Sequence, residues 1–268
     1  MSTILNPIEQ VKPIEGAKSS YGFVSSKAIL DVFQSKGWEI ETVQKTKVKS
    51  LTGEGYQKHL VWLKNANLGP IAELSKNNES IPRLCLVNSH DSSSSVMIFL
   101  GVLRIACLNQ LATGNVFRFF RAVHSKNVTG KLGQGVDFVT DGIPELINGI
   151  QRLQSIELSL DKQLIFAKKM IDLRLENVNN VLQIDYNVIK HALRAEDNFQ
   201  DAYTVMNRMQ ELVIRGGIPY VYEKQVKNSE GLVIDKRIVY TKTRKIASIP
   251  TQLKLNKALF EEIEKLVA

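Results

Sequence analysis

Two segments of the chain interleave cations with aromatic rings. The first runs from Val116 to Gly135 and contains no carboxylate. Cations neutralise backbone phosphates and exposed rings stack on bases, so this composition favours contact with nucleic acid. The alternative places the phenylalanine rings in the core and the cations in water. The candidate nucleic-acid-binding residues here are Arg118, Arg121, Lys126 and Lys131.

The second basic segment follows Pro219, where two alternating stretches flank the turn sequence 228–231. This pattern predicts a β-hairpin, and cations outnumber carboxylates along it. A basic β-ribbon suits a phosphate backbone, and Tyr220, Tyr222 and Tyr240 lie among the cations. A solvated hairpin whose lysines keep an edge strand soluble is the equal alternative. The candidate residues are Lys236, Arg237, Lys242, Arg244 and Lys245.

A third set of residues could hold a metal ion. His90–Asp91 is the only adjacent histidine and carboxylate pair, and His124 could approach it. Two imidazoles and a carboxylate can bind a metal. The favoured alternative is a tight turn at 88–91, satisfied by side-chain-to-backbone hydrogen bonds. We therefore predict no metal and no cofactor. His90, Asp91 and His124 are the weak candidates for metal ligands under the less favoured interpretation.

Several enzyme classes are excluded by their missing motifs. The only Gly-Lys pair, Gly130–Lys131, is followed by Leu132 and lacks the upstream glycine of a Walker A loop. The glycines at 130, 133 and 135 do not form G-x-G-x-x-G, and Ser92–Ser95 has no G-x-S-x-G elbow. These absences argue against P-loop ATPases and against serine hydrolases, so we assign no catalytic residue and consider an enzyme the weaker reading.

Composition sets the broad class. The 268 residues carry a formal charge of +8 and are 44% hydrophobic, typical of a globular protein attracted to polyanions. Cys85 and Cys107 lie in apolar runs and are expected to be buried thiols. The longest apolar run, 96–103, is too short to span a bilayer, and the N-terminus does not resemble a signal peptide. We therefore expect a cytoplasmic protein without membrane contact.

The order of the predicted helices and strands that position these residues indicates an α+β fold. The expected pattern is an antiparallel sheet packed with one long helix, plus further helices and a C-terminal β-hairpin. We expect a flexible arm at 1–20, a mainly antiparallel β region with one helix at 21–140, and a helical region with the basic hairpin at 141–268. The last two regions are predicted to form one compact unit.

Individual elements follow from periodicity and turn residues. We predict a helix near 27–35, strands at 38–48, 56–63, 83–89 and 116–123, and a strand or a helix at 96–111. The glycines at 130–135 indicate a flexible loop. Helices are predicted near 186–194, 198–214 and 256–267, and hairpin strands at 219–227 and 232–242.

The apolar stripe from Leu146 to Leu175 predicts one long helix, Pro144 to about Glu176. Such a helix exceeds what a small domain covers, so we expect part of it to form a homo-oligomer contact. The alternative is that the helices near 186–214 and 256–267 cover the stripe within one chain.

Several short segments together resemble the domain of unknown function 932 family of phage/plasmid-like proteins. The matching pieces include Asn88–Ser89–His90–Asp91 with its serine run, and Arg194–Asp197. The remaining pieces are an apolar stretch reaching Cys107 and Asn109, then Asn207, Gln210–Glu211, Arg215–Gly217, Thr243–Lys245 and Leu255–Leu259. The family pattern would place glycine at Ser92 and at Gln110, and tryptophan at Phe260. The resemblance implies a mobile-element origin and no particular activity.

These observations lead to three functional hypotheses. The first is an ATP-independent nucleic-acid-binding protein of phage or plasmid type, including single-strand DNA binding or annealing. The element order is also similar to ring-forming single-strand annealing proteins. The second is a protein-binding module that counteracts or recruits a host factor, with exposed aromatics such as Tyr56, Trp62 or Tyr222 as its contacts. The third and least favoured hypothesis is a metal-dependent nuclease that uses His90, Asp91 and His124.

Overall fold

The computed structural model describes residues 6–19, 21–48, 51–68, 80–104, 109–112, 118–125, 128–193 and 197–268. The chain divides into two compact units, Met1–Gly149 and Ile150–Ala268. Each unit combines helices with an antiparallel sheet, which confirms the predicted α+β class.

The first unit is built on one antiparallel sheet with the order β1-β2-β3-β4-β5, in which β6 also pairs with β4. β3 is buried along almost its whole length and contains the apolar run Leu84–Val87. Residues 96–111, whose periodicity fits either a strand or a helix, include strand β4. The strands are β1 (Trp38–Lys45), β2 (His59–Asn65), β3 (Ser80–Asn88), β4 (Val96–Arg104), β5 (Asn109–Ala112) and β6 (Phe119–Ala122).

Within the described residues of this unit three α-helices begin: α1 (Ser26–Ser35), α2 (Thr129–Thr140) and α3 (Ile143–Ser155). α1 buries Ile29, Leu30 and Phe33. The glycine-rich segment predicted as a flexible loop is α2, so that prediction was wrong. A glycine is needed there because a Cβ at Gly135 would lie 2.6 Å from the ring of Phe120. The glycine thus serves close packing of α2 on β6.

The second unit places α5 at its centre, where residues 202–213 are all buried. α4 and α6 pack against α5 and against each other, and β7, β8 and β9 form a three-stranded sheet in that order. The predicted hairpin is confirmed as β8–β9, and β7 was missed. The elements are α4 (Leu160–Leu175), β7 (Val181–Ile184), α5 (Ala202–Arg215), β8 (Pro219–Lys227), β9 (Val233–Lys242) and α6 (Ile249–Val267).

The long helix predicted from Pro144 to Glu176 is two helices, with a break between Ser155 and Leu160. In the break the chain is extended: the Leu158 amide donates to the Gln200 carbonyl, and the Ala202 amide donates to that of Ile156. Ser159 then caps α4 by accepting from the Lys162 amide. Periodicity missed this break because the apolar spacing continues across it.

Most of the apolar stripe on α3 and α4 is buried within the chain. Leu146, Ile150, Leu153 and Ile171 are at most 1% exposed. α5 and α6 pack on α4, whereas Leu160 at the first position of α4 is 48% exposed. Oligomerisation through this stripe stays a prediction.

Residues 7–14 of the N-terminal arm pack within the first unit. Pro7 and Ile8 are buried in a short 3-10 turn, and the Ile14 amide donates to the His90 carbonyl. Within the described ranges, no helix combines the length and the apolar character needed to cross a membrane.

Candidate functional site

A buried hydrogen-bond cluster joins the N-terminal arm, α1, β2 and β3. The Ser26 hydroxyl lies 2.7 Å from His59 Nε2 and 3.2 Å from His90 Nε2, and it accepts from Asn88 Nδ2 at 2.9 Å. All four side chains are fully buried. β2 and β3 bring His59 and Asn88 opposite each other, and the first turn of α1 supplies Ser26.

The hydrogen bonds assign the protons of the two histidines. His59 Nδ1 lies 3.0 Å from the Gln57 carbonyl and must donate to it, so His59 Nε2 accepts the Ser26 proton. His90 Nε2 donates to the Pro7 carbonyl at 2.9 Å. Burial lowers the pKa of His59, and burial beside His59 lowers the pKa of His90 to about 4. Both rings are therefore neutral near pH 7.

His124 follows β6 by two residues and lies close enough to His90 to affect its charge. Its Nδ1 donates to the Gly22 carbonyl at 3.3 Å, and its ring stacks on Tyr21 with centroids 4.7 Å apart. The Tyr21 hydroxyl donates to the Ser89 carbonyl at 2.9 Å. Burial lowers the pKa of His124 and, together with Asp91, raises the pKa of Tyr21 to about 12. Both groups are thus neutral at physiological pH.

The serine run between β3 and β4 forms an ordered turn. Asp91 Oδ1 accepts from the Ser93 amide at 2.9 Å, and Ser89 Oγ accepts from the Ser94 amide at 2.9 Å. These are the side-chain-to-backbone bonds of the structural alternative proposed for this motif. Ser92 has a φ of 65°, in the left-handed region that favours glycine. The glycine that the family pattern places here therefore has a conformational reason.

This turn borders a pocket of about 650 Å³ that is lined by three cationic side chains, Lys18, Lys58 and Arg121. Arg121 Nε donates to Ser95 Oγ at 2.8 Å, which holds the guanidinium at the serine loop. No carboxylate of the described residues lines the pocket, and Asp91 is engaged with the Ser93 amide. We call it the serine-loop pocket. Its lining is Lys18, Tyr21, Lys58, Ser92, Ser93, Ser94, Ser95, Met97, Arg121, Val123 and His124.

The pocket's chemistry fits an anion. Three cationic side chains beside the serines of the loop can satisfy the oxygens of a phosphate group by charge-assisted hydrogen bonds. The sequence identified Arg121 but missed Lys18 and Lys58, which are distant in the chain. Only their positions in the arm and ahead of β2 bring them to the serine loop.

The three metal candidates, His90, Asp91 and His124, are directed at different partners. His90 faces His59 and Ser26, with the two imidazole centroids 5.3 Å apart, whereas Asp91 turns to the Ser93 amide. In the parts of the chain that the structure describes, no three His, Cys, Asp or Glu side chains are grouped to hold a metal ion. His90 Nδ1 and His124 Nε2 are buried without a hydrogen-bond partner.

Arg118 and Lys131 of the first basic segment do not line the pocket. Arg118 donates to the Phe138 carbonyl, stacks over the Phe138 ring at 5.3 Å and lies 3.9 Å from Glu145. Lys131 is exposed on α2, and Lys126 lies outside the described residues. Phe120 packs over Gly135, and Phe119 lies near Phe99. Both rings therefore pack against other residues of the protein, which leaves them less available to stack on bases.

The cations of the hairpin fall into two groups. Lys236 and Arg237 are 3.0 Å and 3.1 Å from the carboxylates of Glu223 and Asp235. Lys242, Arg244 and Lys245 are exposed and have no ion pair with a carboxylate among the described residues. We call these three the hairpin-base cations. Tyr240, which is 79% exposed, precedes Lys242 on the same face of β9.

The family-like residues of the second unit tie α5 to the base of the hairpin. The Thr243 hydroxyl accepts from the Ile218 amide at 3.1 Å, and the Gly217 amide donates to the Thr243 carbonyl at 2.9 Å. Gly216 has a φ of 90°, and a Cβ there would lie 2.4 Å from that carbonyl oxygen. Gln210 donates to Asn256 across α5 and α6. The Thr243 bonds thus join the base of the hairpin to the end of α5, whereas Gln210 and Asn256 join α5 to α6.

Comparison with known proteins agrees with the resemblance seen in the sequence. Two proteins of Escherichia coli (strain K12), UPF0380 protein YfjQ and UPF0380 protein YafZ, are each 25% identical to this chain over 253 residues. Each similarity covers 94% of this chain and 85% of the relative. No solved structure matches the chain. The family described as domain of unknown function (DUF932) matches residues 13–260, and the chain therefore belongs to this family.

Proposed function

We propose that the chain is an ATP-independent nucleic-acid-binding protein of phage or plasmid origin that acts on single-stranded DNA in the bacterial cytoplasm. The observation that carries this proposal is the serine-loop pocket, where Lys18, Lys58 and Arg121 border four serines without an acidic lining residue in the described chain. A backbone phosphate is the ligand whose charge and oxygens this set matches.

The hairpin-base cations support a polymer over a single nucleotide. They belong to the second unit, whereas the serine-loop pocket belongs to the first, so two separate surfaces each favour phosphate. Repeating phosphates match two such surfaces better than the phosphate of one nucleotide does. Tyr240 beside Lys242 offers an exposed ring for base stacking, which tolerates any sequence.

The alternatives have less support. A protein-binding module was expected to use exposed aromatics, but Trp62 is 2% exposed and Tyr222 is half-buried and stacked on Tyr220. A metal-dependent nuclease would need His90, Asp91 and His124 on one ion. In the structure His90 and His124 donate to backbone carbonyls, and Asp91 accepts from the Ser93 amide.

The proposal is tested by fluorescence anisotropy of a labelled single-stranded oligonucleotide. Arg121→Gln removes one phosphate contact, so we expect the affinity to fall about tenfold at low salt, irrespective of oligonucleotide sequence. Arg121→Lys keeps the charge and should retain most of the affinity. Lys242→Gln combined with Arg244→Gln and Lys245→Gln should weaken binding further, since three cations are lost.

The matched control is Lys27→Gln, which makes the same change of charge in the first unit. Lys27 is exposed on α1 and does not line the pocket, so the affinity should change less than about twofold. Equal losses for Arg121→Gln and Lys27→Gln would show that only net charge matters. That result would overturn the assignment of the pocket.

A further inference from the structure

β9 forms an open edge of the sheet in the second unit, since the strand order is β7-β8-β9. No described strand pairs with its outer side. Four apolar side chains on β9 are largely exposed: Val233 at 45%, Ile234 at 64%, Ile238 at 53% and Tyr240 at 79%. A long edge strand with exposed apolar side chains is a template for pairing with another strand.

We propose that this edge pairs antiparallel with β9 of a second copy of the chain, with Lys236 on the two-fold axis. In this register Asp235 lies opposite Arg237 of the second copy, and symmetry repeats the pair. Ile234 lies opposite Ile238, and Val233 opposite Val239, each also twice. Directly opposed side chains share a face, so oppositely charged groups meet on one face and isoleucines on the other.

The register follows from the complementarity of β9 with itself. Moving the axis to Arg237 places two arginines face to face and sets Asp235 opposite Val239. Moving the axis to Asp235 places two carboxylates face to face and sets Lys236 opposite Ile234. Only the axis at Lys236, among these neighbouring registers, pairs both the opposite charges and the isoleucines.

The two lysines on the axis do not oppose this arrangement. Lys236 Nζ lies 3.0 Å from Glu223 Oε1 of its own chain, on the same face of the hairpin. The two-fold axis therefore brings together two local ion pairs, whose repulsion is much weaker than that of two free ammonium groups.

The dimer would join two three-stranded sheets into one sheet of six strands and present two sets of hairpin-base cations. This inference does not rest on the proposed function. Where nucleic acid does bind, doubling the cations would raise avidity, because a second contact becomes intramolecular.

Cysteine cross-linking tests the register directly. Lys236→Cys should form an intermolecular disulfide under mild oxidation, because residue 236 faces its own copy. Ile234→Cys alone and Ile238→Cys alone should not, whereas an equal mixture of the two variants should. The wild type, with Cys85 buried, is the control under the same oxidant. Cross-linking of Ile238→Cys with itself, or none for Lys236→Cys, would overturn the proposed register.

Mass in solution tests the charge pairing. The wild type should approach twice 30.1 kDa with rising concentration in analytical ultracentrifugation. Asp235→Arg and Arg237→Asp should each give monomers with an unchanged circular-dichroism spectrum, because like charges then face each other. The double variant should recover the dimer. A wild type that stays monomeric, or single variants that stay dimeric, would contradict the proposal.

Discussion

Two residues that line the serine-loop pocket have different roles: Ser92 matters for its backbone conformation, and Arg121 for its charge. Ser92 and Asn180 are the only described residues other than glycine with positive φ. The Ser92 side chain lines the serine-loop pocket, and its backbone conformation is one that an L-residue adopts at a cost of about 1–2 kcal/mol. Arg121 instead has a chemical role, since its guanidinium is held by Ser95 and its charge is not offset by a lining carboxylate in the described chain.

Ser92→Gly should raise the free energy of unfolding by about 1 kcal/mol, because glycine adopts the left-handed conformation without steric cost. Chemical denaturation at pH 7.5 measures this. Ser93→Gly is the matched control: Ser93 has no positive φ, so the added freedom of the unfolded chain should lower stability slightly. If both variants lower stability alike, the conformation assigned to Ser92 is incorrect.

At the scale of elements, the Ser26–His59–His90–Asn88 cluster joins the arm, α1, β2 and β3. Its histidines are neutral when folded, since burial lowers their pKa, for His90 from 6.5 to about 4. The unfolded chain binds these protons near pH 6.5 and the folded chain does not. The contribution to stability is therefore complete above pH 6.5 and is lost as the pH falls toward 4.

We expect the free energy of unfolding to fall by on the order of 2 kcal/mol between pH 7 and pH 5, a window that lies above the usual carboxylate pKa values. Urea titrations across this range measure it. His90→Gln retains an amide donor for the Pro7 carbonyl but does not titrate, so its stability should vary less with pH. A wild-type stability independent of pH in this window would refute neutral buried histidines.

The elements also show how far sequence reasoning reaches. Turn residues and alternation correctly predicted β1, the β8–β9 hairpin and the class of the fold, because local chemistry determines them. The break between α3 and α4 depends on hydrogen bonds to Gln200 and Ala202, distant in sequence. Likewise Lys18 and Lys58 reach the serine-loop pocket only through tertiary packing, and neither lies in a motif.

At the scale of the whole molecule, phosphate-matching groups occur in both units: the serine-loop pocket in the first and the hairpin-base cations in the second. The net charge of +8 adds a general attraction for polyanions. Binding to a single strand through these groups releases counterions, and the number released reports the number of phosphates engaged.

The most direct measurement is therefore the affinity of the wild type for a single-stranded oligonucleotide at a series of salt concentrations. If about four phosphates are engaged, log K should fall against log salt concentration with a slope of about −3. Removing the hairpin-base cations should make that slope shallower by about 2. A flat salt response, or no binding at low salt, would contradict nucleic-acid binding by this protein.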